Sequence, residues 1–318
     1  MKFELSLLLK GIAMGVAEAI PGVSGGTIAF ITGIYERLLD AITKILDPAV
    51  ITTLRKEGFS AAWERIDGWF LVQLVGGMAV GLIAAAFSIT ILLEEYPPAV
   101  WAFFFGLIIA SAIYIGKQVG HWSALEIILF LAGAGFAYGL TIINPLGGST
   151  APIFVFLAGA IAISALILPG ISGSFILVLL GMYTVILPAV KELLSGDSSQ
   201  LITVGVFALG CLAGLALFSR VLSYTFKKFP NPTFAILTGF MLGSLNKLWP
   251  WRNTLTFRTN SSGEEVPLME ENVLPAAYQG DPIVLAVIFA TLLGIILVFV
   301  MERLGRDELR EELIEDED

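Results

Sequence analysis

The stretch Pro21-Gly22-Val23-Ser24-Gly25-Gly26-Thr27 decides how the chain is read, because it interrupts a long apolar run and then comes back. Pro169-Gly170-Ile171-Ser172-Gly173-Ser174-Phe175 repeats the pattern 148 positions later. The same frame follows each copy, Gly33-Ile34-Tyr35 in the first and Gly181-Met182-Tyr183 in the second. A polar, glycine-rich break is unfavourable in lipid, where freed N–H and C=O groups find no water. Two matching breaks in two matching halves point to a binding site between the repeats of a transporter-type membrane protein.

Outward from the motif the correspondence continues. At an offset of 148, Gly11 falls on Gly159 and Ala17 on Ala165. Beyond it a loop longer by 15 residues in the first half reduces the offset to 133. Gly77 then falls on Gly210, Gly81 on Gly214, Pro97 on Pro230, Gly106 on Gly239 and Ser111 on Ser244. Glycine and proline matches are informative, since they mark close helix packing and turns. The expected fold is an all-α polytopic membrane protein of two inverted-topology repeats. Residues 1–150 form the first, with its motif at 21–27, and residues 151–318 the second, with its motif at 169–175. The second carries an extramembrane loop at 251–281 and an acidic tail at 304–318.

Each half reads as five helical pieces, at 5–20, 23–46, 68–93, 98–116 and 123–143, then 152–168, 171–194, 201–226, 232–249 and 282–303. The first piece gives about 24 Å of helix, short of a hydrocarbon core of about 30 Å. Each motif therefore sits either on a re-entrant hairpin with its tip inside the membrane or between two full spans joined at the surface. The short first arm favours the former. Residues 46–68 read as an interfacial amphipathic helix or as a polar loop.

Composition sets the class. Of 318 residues, 57% are hydrophobic and only 14% charged, with a mean hydropathy of +0.87. A soluble chain of this length needs more charge to cover its surface. Absence of short-range alternation argues against an outer-membrane barrel. The net charge of −9 comes largely from acidic residues within 264–281 and 307–318. No basic patch is interleaved with aromatics, so nucleic acid is not an expected partner. Cys211 and His121 are each the only residue of their type, which leaves no disulfide and no thiol or multi-histidine metal site. No cofactor or metal is expected. Lys2 followed by an apolar run from Leu5 has the look of a signal peptide, but the run leads into a motif whose counterpart lies mid-chain.

Lysine and arginine set the orientation. With the N-terminus in the cytoplasm, 14 of the 18 fall on or toward the cytoplasmic side and only Lys191, Lys247, Arg252 and Arg258 fall outside. Both termini are then cytoplasmic, and the two motifs enter from opposite sides. Trp101, Trp122, Trp249 and Trp251 stand at span ends as interfacial anchors do.

The chemistry of Pro-Gly-x-Ser-Gly follows from its residues. Proline ends one helix or starts the next, and glycine lets the backbone turn and a ligand approach. The first N–H groups of the following helix have no intrahelical partner and, with the helix dipole, suit an anion such as phosphate. Candidate phosphate-binding residues are Gly22, Ser24, Gly25, Gly26 and Thr27 in the first copy and Gly170, Ser172, Gly173 and Ser174 in the second. The competing reading is that the serines only cap and the glycines only pack. Gly22-Val23-Ser24-Gly25-Gly26 also fits the G-x-S-x-G elbow of serine hydrolases. Ser174 replaces the last glycine in the second copy, the chain has one histidine, and no strand precedes the motif, so no catalytic residue is assigned.

Three ionisable residues near the apolar runs are candidate coupling or headgroup contacts: Glu18, Arg37 and Arg220. Glu18 lies three residues before Pro21 and is either a proton carrier or a carboxylate bonded to nearby N–H groups. Its counterpart is Leu166, so the feature is asymmetric. Arg37 and Arg220 offer guanidinium forks to phosphate, although anchoring to lipid headgroups is the favoured reading of each.

Through Glu18-Ala19-Ile20-Pro21-Gly22-Val23-Ser24-Gly25-Gly26-Thr27, the run on to Gly33-Ile34-Tyr35-Glu36, and Leu168-Pro169-Gly170-Ile171-Ser172-Gly173-Ser174, the chain resembles the polyprenyl-phosphate transporters. This bacterial and archaeal family, called PopT, was long labelled domain-of-unknown-function family 368. The resemblance covers nearly the whole chain. It implies a cytoplasmic-membrane flippase that returns undecaprenyl phosphate, or a related polyprenyl phosphate, from the outer to the cytoplasmic leaflet. That recycles the lipid carrier of peptidoglycan and other envelope polymers. The motif is also similar to that of integral-membrane undecaprenyl-pyrophosphate phosphatases, the enzyme alternative. Those have an arginine shortly after the motif serine, where this chain has Gly25-Gly26 and Gly173-Ser174.

Overall fold

The computed structural model of the chain describes residues 3–19, 23–259 and 265–315. The first half runs α1 (Leu5–Glu18), α2 (Gly25–Ile31), α3 (Tyr35–Ile45), α4 (Ala49–Lys56), α5 (Phe59–Arg65), α6 (Gly68–Glu95), α7 (Pro97–Gly116) and α8 (Ala124–Ile142). The second runs α9 (Pro152–Ile167), α10 (Gly173–Leu179), α11 (Tyr183–Leu194), α12 (Leu201–Lys228), α13 (Pro230–Ser244), β1 (Arg252–Thr259), β2 (Glu265–Asn272) and α14 (Val284–Glu315). Among the described residues, α6, α7, α8, α12 and α14 are long and apolar enough to cross a membrane. Their outer faces expose large apolar side chains such as Val72, Ile83, Leu131, Leu217 and Phe289. Contiguous apolar surface of that kind is covered by lipid, and the chain is a multi-pass membrane protein.

Three expectations are corrected. The fold is mostly helical but not all-α, because the 251–281 segment holds an antiparallel β1–β2 hairpin. Thr254, Thr256 and Phe257 suit extended backbone, and two eight-residue strands inside an acidic linker leave little pattern to find. The pieces at 23–46 and 171–194 are not single helices. Each is cut at its Gly-x-Tyr frame, where Gly33 and Gly181 adopt φ values of +74° and +66°. The Gly33 N–H donates to Phe30 and the Ile34 N–H to Ala29, and Gly181 and Met182 donate likewise to Val178 and Leu177. That crossed pair of bonds is the Schellman stop, which glycine permits. The second cut bends the chain by 115°. Third, the acidic 304–318 segment continues α14 as helix to Glu315 rather than leaving it as a separate tail. The 232–249 piece is α13 followed by a 3₁₀ turn at Leu245–Leu248. Residues 46–68 form the two short helices α4 and α5, parted at Gly58 with φ +90°.

Glycines set the packing. A Cβ on Gly11 would collide with the Leu74 carbonyl, on Gly77 with that of Leu8 and on Gly81 with that of Ile12, so α1 and α6 meet backbone to backbone. A Cβ on Gly159 would meet Phe207, on Gly210 Phe156 and on Gly214 Ala160, the same contacts between α9 and α12. Each of these six positions and partners maps onto its equivalent at the offsets of 148 and 133. Two further helix pairs join the first half of the chain to the second. Gly106 of α7 abuts Thr291 of α14, and Gly239 of α13 abuts Phe130 of α8. Close approach of this kind supplies the dispersion energy that drives association where lipid removes the hydrophobic term.

Every residue of α2 is buried. The Phe30 ring meets Tyr35 of α3, Phe226 of α12 and Phe234 of α13 at centroid separations of 4.9, 6.0 and 5.8 Å. The centre of the molecule is therefore the first motif's helix, held by elements of both halves.

Candidate functional site

At the first motif, Ser24 caps α2. Its Oγ accepts the Gly26 N–H at 3.1 Å and donates to the Leu166 carbonyl at 3.1 Å. Glu18 Oε1 accepts the Gly25 N–H at 2.6 Å. The Thr27 N–H reaches the Ser24 carbonyl at 3.0 Å. The donors expected to hold an anion are thus taken by the protein's own groups, and Glu18 occupies the place such an anion would take. Gly22 lies outside the described residues.

The second motif meets the first directly. The Gly170 N–H donates to Thr27 Oγ1 at 3.1 Å, with Thr27 fully buried. Tyr35 donates its hydroxyl to the Ile167 carbonyl at 3.0 Å. A Cβ on Gly26 would lie 2.5 Å from that same carbonyl oxygen, so only glycine lets the two tips touch. Gly170 has φ +84° and sits against the Met241 backbone. Here no carboxylate corresponds to Glu18. Ser172 does not cap α10, and its Oγ pairs with Ser174 Oγ at 2.9 Å. A Cβ on Gly173 would lie 2.6 Å from the Ala162 carbonyl, so that glycine is a packing residue of α9 and α10.

A small pocket opens beside the second tip, lined by Gly170, Ser172, Phe175, Thr141, Ser244 and Lys247 among others. Lys247 lies in the 3₁₀ turn after α13, and its Nζ stands 5.5 Å over the Phe175 ring. It reaches Glu270 of β2 at 3.1 Å, and Arg252 of β1 reaches the same carboxylate oxygen at 2.8 Å. Neither Lys247 nor Tyr35 was singled out by motif reasoning. Their signals in the sequence are a lysine three residues past the repeated Ser244, one of four cations on the outer side, and the tyrosine of the Gly-x-Tyr frame.

The two candidate arginines are engaged elsewhere. Arg37 Nε pairs with Asp67 at 2.6 Å and its guanidinium stacks 4.4 Å from the Phe70 ring centroid. Arg220 donates to the Leu46 carbonyl at 2.9 Å. Among the described residues no cluster of three His, Cys, Asp or Glu is placed to hold a metal ion.

The Glu18 bond carries a prediction. Glu18→Ala leaves the Gly25 N–H buried without its partner and is expected to cost about 1–3 kcal/mol, read as a lower unfolding midpoint in detergent. Glu18→Gln keeps an acceptor oxygen and is expected to fall much closer to the parent. Equal losses in both variants would show that the carboxylate's charge, not its acceptor, holds the tip.

A family model described as VCA0040-like, undecaprenyl phosphate translocase-like, matches residues 14–266. The chain is 45% identical over 275 residues to a polyprenyl-phosphate transporter of Vibrio cholerae serotype O1, covering 86% of this chain and 87% of that one. It is 30% identical over 261 residues to a polyprenyl-phosphate transporter of Staphylococcus aureus, covering 78% and 87%. No solved structure matches it.

Proposed function

The chain belongs to the VCA0040-like, undecaprenyl phosphate translocase-like family, and from that premise we propose that it carries undecaprenyl phosphate, or a related polyprenyl phosphate, across the cytoplasmic membrane. It is a transporter rather than an enzyme. The direction is from the outer to the cytoplasmic leaflet, which recycles the lipid carrier used in peptidoglycan and other envelope synthesis. The termini are cytoplasmic.

The observation that carries this reading is the meeting of the two motif copies, one from each half, at the Thr27–Gly170 bond beside a small pocket that Ser172 and Lys247 help to line. The two halves act as inverted repeats, 1–150 and 151–318, each bearing a re-entrant hairpin. The recurrence of the glycine contacts supports the repeat. The seven-residue helices α2 and α10 are about 10 Å long, too short for a core of about 30 Å. The headgroup binds beside the second tip through Ser172, Ser174 and the backbone N–H of Gly173, since the Gly170 N–H is held by Thr27, with the prenyl tail left in lipid. When the repeats rock, the first copy opens in its turn, and Ser24, Gly25, Gly26 and Thr27 become available as Glu18 gives up the Gly25 N–H. Glu18 is then placed to exchange a proton.

The test uses proteoliposomes with undecaprenyl phosphate loaded in one leaflet and, separately, undecaprenyl pyrophosphate. Leaflet exchange is expected with the first and no phosphate release with the second. Ser172→Ala is expected to slow exchange by about tenfold. Phosphate release from the pyrophosphate would return the chain to the phosphatase class.

A further inference from the structure

We propose that Lys247 is a ligand for the phosphate headgroup and that Glu270, on the β-hairpin, is its exchangeable counter-ion, displaced when a phosphate monoester enters the pocket beside Ser172. This rests on the transport reading above and names a group that reading does not contain.

Lys247 and Arg252 share one carboxylate, Glu270, at 3.1 and 2.8 Å. Among the described residues the other polar groups in contact with this cluster are neutral: Asn272 donates to Asn246, which donates to Thr141. Two cations against one carboxylate leave one positive charge in excess. The side chains are 22%, 4% and 17% exposed for Lys247, Arg252 and Glu270. An unbalanced charge at that depth is unfavourable unless an anion completes it.

Lys247 lines the same pocket as Gly170 and Ser172 and stacks over Phe175, so its ammonium stands between the hairpin carboxylate and the second motif. A phosphate monoester brings up to about two negative charges and three acceptor oxygens. Glu270 offers Lys247 one oxygen, already shared with Arg252. Displacement does not strand Glu270, because Arg252 keeps it. Arg252 lies closer to that oxygen than Lys247 does, 2.8 against 3.1 Å, and is the more deeply buried of the two, so this pair is the one that persists. The exchange is therefore a swap of anions on Lys247, with the hairpin still fastened through Arg252. The equivalent position in the first half is Tyr114, so the cation serves one tip only, as Glu18 serves only the other.

The full-length protein in nanodiscs is titrated with farnesyl monophosphate, and with inorganic phosphate as a separate arm. Lys247→Gln is expected to weaken farnesyl phosphate binding by about tenfold or more, while Lys247→Arg keeps most of the affinity. Glu270→Gln, which removes the competitor, is expected to bind at least as tightly as the parent. A pair that only fastens the hairpin predicts equal losses in Lys247→Gln and Glu270→Gln, and that result overturns the proposal, as does unchanged binding in Lys247→Gln. Inorganic phosphate that binds as tightly, with the same dependence on Lys247, would assign the pocket to the free ion instead. Thermal unfolding without ligand checks each variant; if Lys247→Gln does not fold, Lys247→Arg against Glu270→Gln decides the sign. A parent protein that binds no farnesyl phosphate overturns the transport reading as well, whereas parent binding with an indifferent Lys247 overturns this inference alone.

Discussion

Gly170→Ala is expected to slow leaflet exchange of undecaprenyl phosphate by about a hundredfold. Two costs combine at this position. Its φ of +84° lies in the left-handed region, where a Cβ costs about 1–2 kcal/mol. The new Cβ would also stand 2.8 Å from Met241 Cα, which is backbone and cannot turn aside. Overpacking of that kind adds about 1–3 kcal/mol, and a total of about 3 kcal/mol corresponds to about a hundredfold. Thr27→Val probes the other side of the contact, because it keeps the shape and removes the oxygen that accepts the Gly170 N–H. An unpartnered buried N–H costs about 1–3 kcal/mol, so about a tenfold loss is expected, with Thr27→Ser close to the parent. Exchange at the parent rate in a folded Gly170→Ala protein would show that transport does not need the two tips in contact.

The second large effect is on stability and is the same in both halves. Gly81→Leu drives a side chain into the Ile12 carbonyl, and Gly214→Leu does so into that of Ala160. Each is expected to lower the unfolding free energy by about 3 kcal/mol or more, since the clash is with backbone of a packed helix. Gly76 and Gly205 lie one helical turn or more from these contacts with nothing near their Cβ positions. Alanine at either is expected to stabilise by about 0.5–1 kcal/mol through helix propensity. Unfolding midpoints in detergent give both signs. If Gly81→Leu unfolds the protein while Gly214→Leu is silent, the two helix pairs are not equivalent and the repeat loses its strongest physical support.

Legibility in the sequence followed the reach of the forces involved. The motif pair, the glycine matches and the membrane class were readable because lipid constrains composition residue by residue, and a backbone approach admits only glycine. The Gly-x-Tyr frames were visible too, yet their meaning was not. Apolar residues continue through Gly33 and Gly181, so the run looked like one helix, and only the crossed bonds at each glycine show the stop. The hairpin at 252–272 was hidden because its strands owe their pairing to one another rather than to a strong local pattern.

The candidate site divides in the same way. That Ser24 and Ser172 stand at helix starts was legible from Pro-Gly-x-Ser-Gly alone. That they differ was not: Ser24 is committed to Gly26 and Leu166, while Ser172 pairs only with Ser174 beside a pocket. Glu18 has no carboxylate counterpart in the second copy, and its bond to the Gly25 N–H is visible only in the fold. Arg37 and Arg220 had the right chemistry for phosphate, and the fold engages them at Asp67 and Leu46.

By itself, then, the sequence determined a multi-pass membrane protein in which a polar Pro-Gly-x-Ser-Gly break and the glycine spacing around it recur, since hydropathy and glycine spacing are local properties of the chain. Tertiary structure alone decided that the breaks touch through Thr27 and Gly170, that the first is closed by Glu18, and that Lys247 and Glu270 stand at the second. Those partners are 143, 7 and 23 residues apart. Except for the Glu18 bond, whose partners lie on consecutive helices, no local pattern marks them as neighbours. Helix packing brings them together, and the low dielectric of the interior then makes each pairing matter.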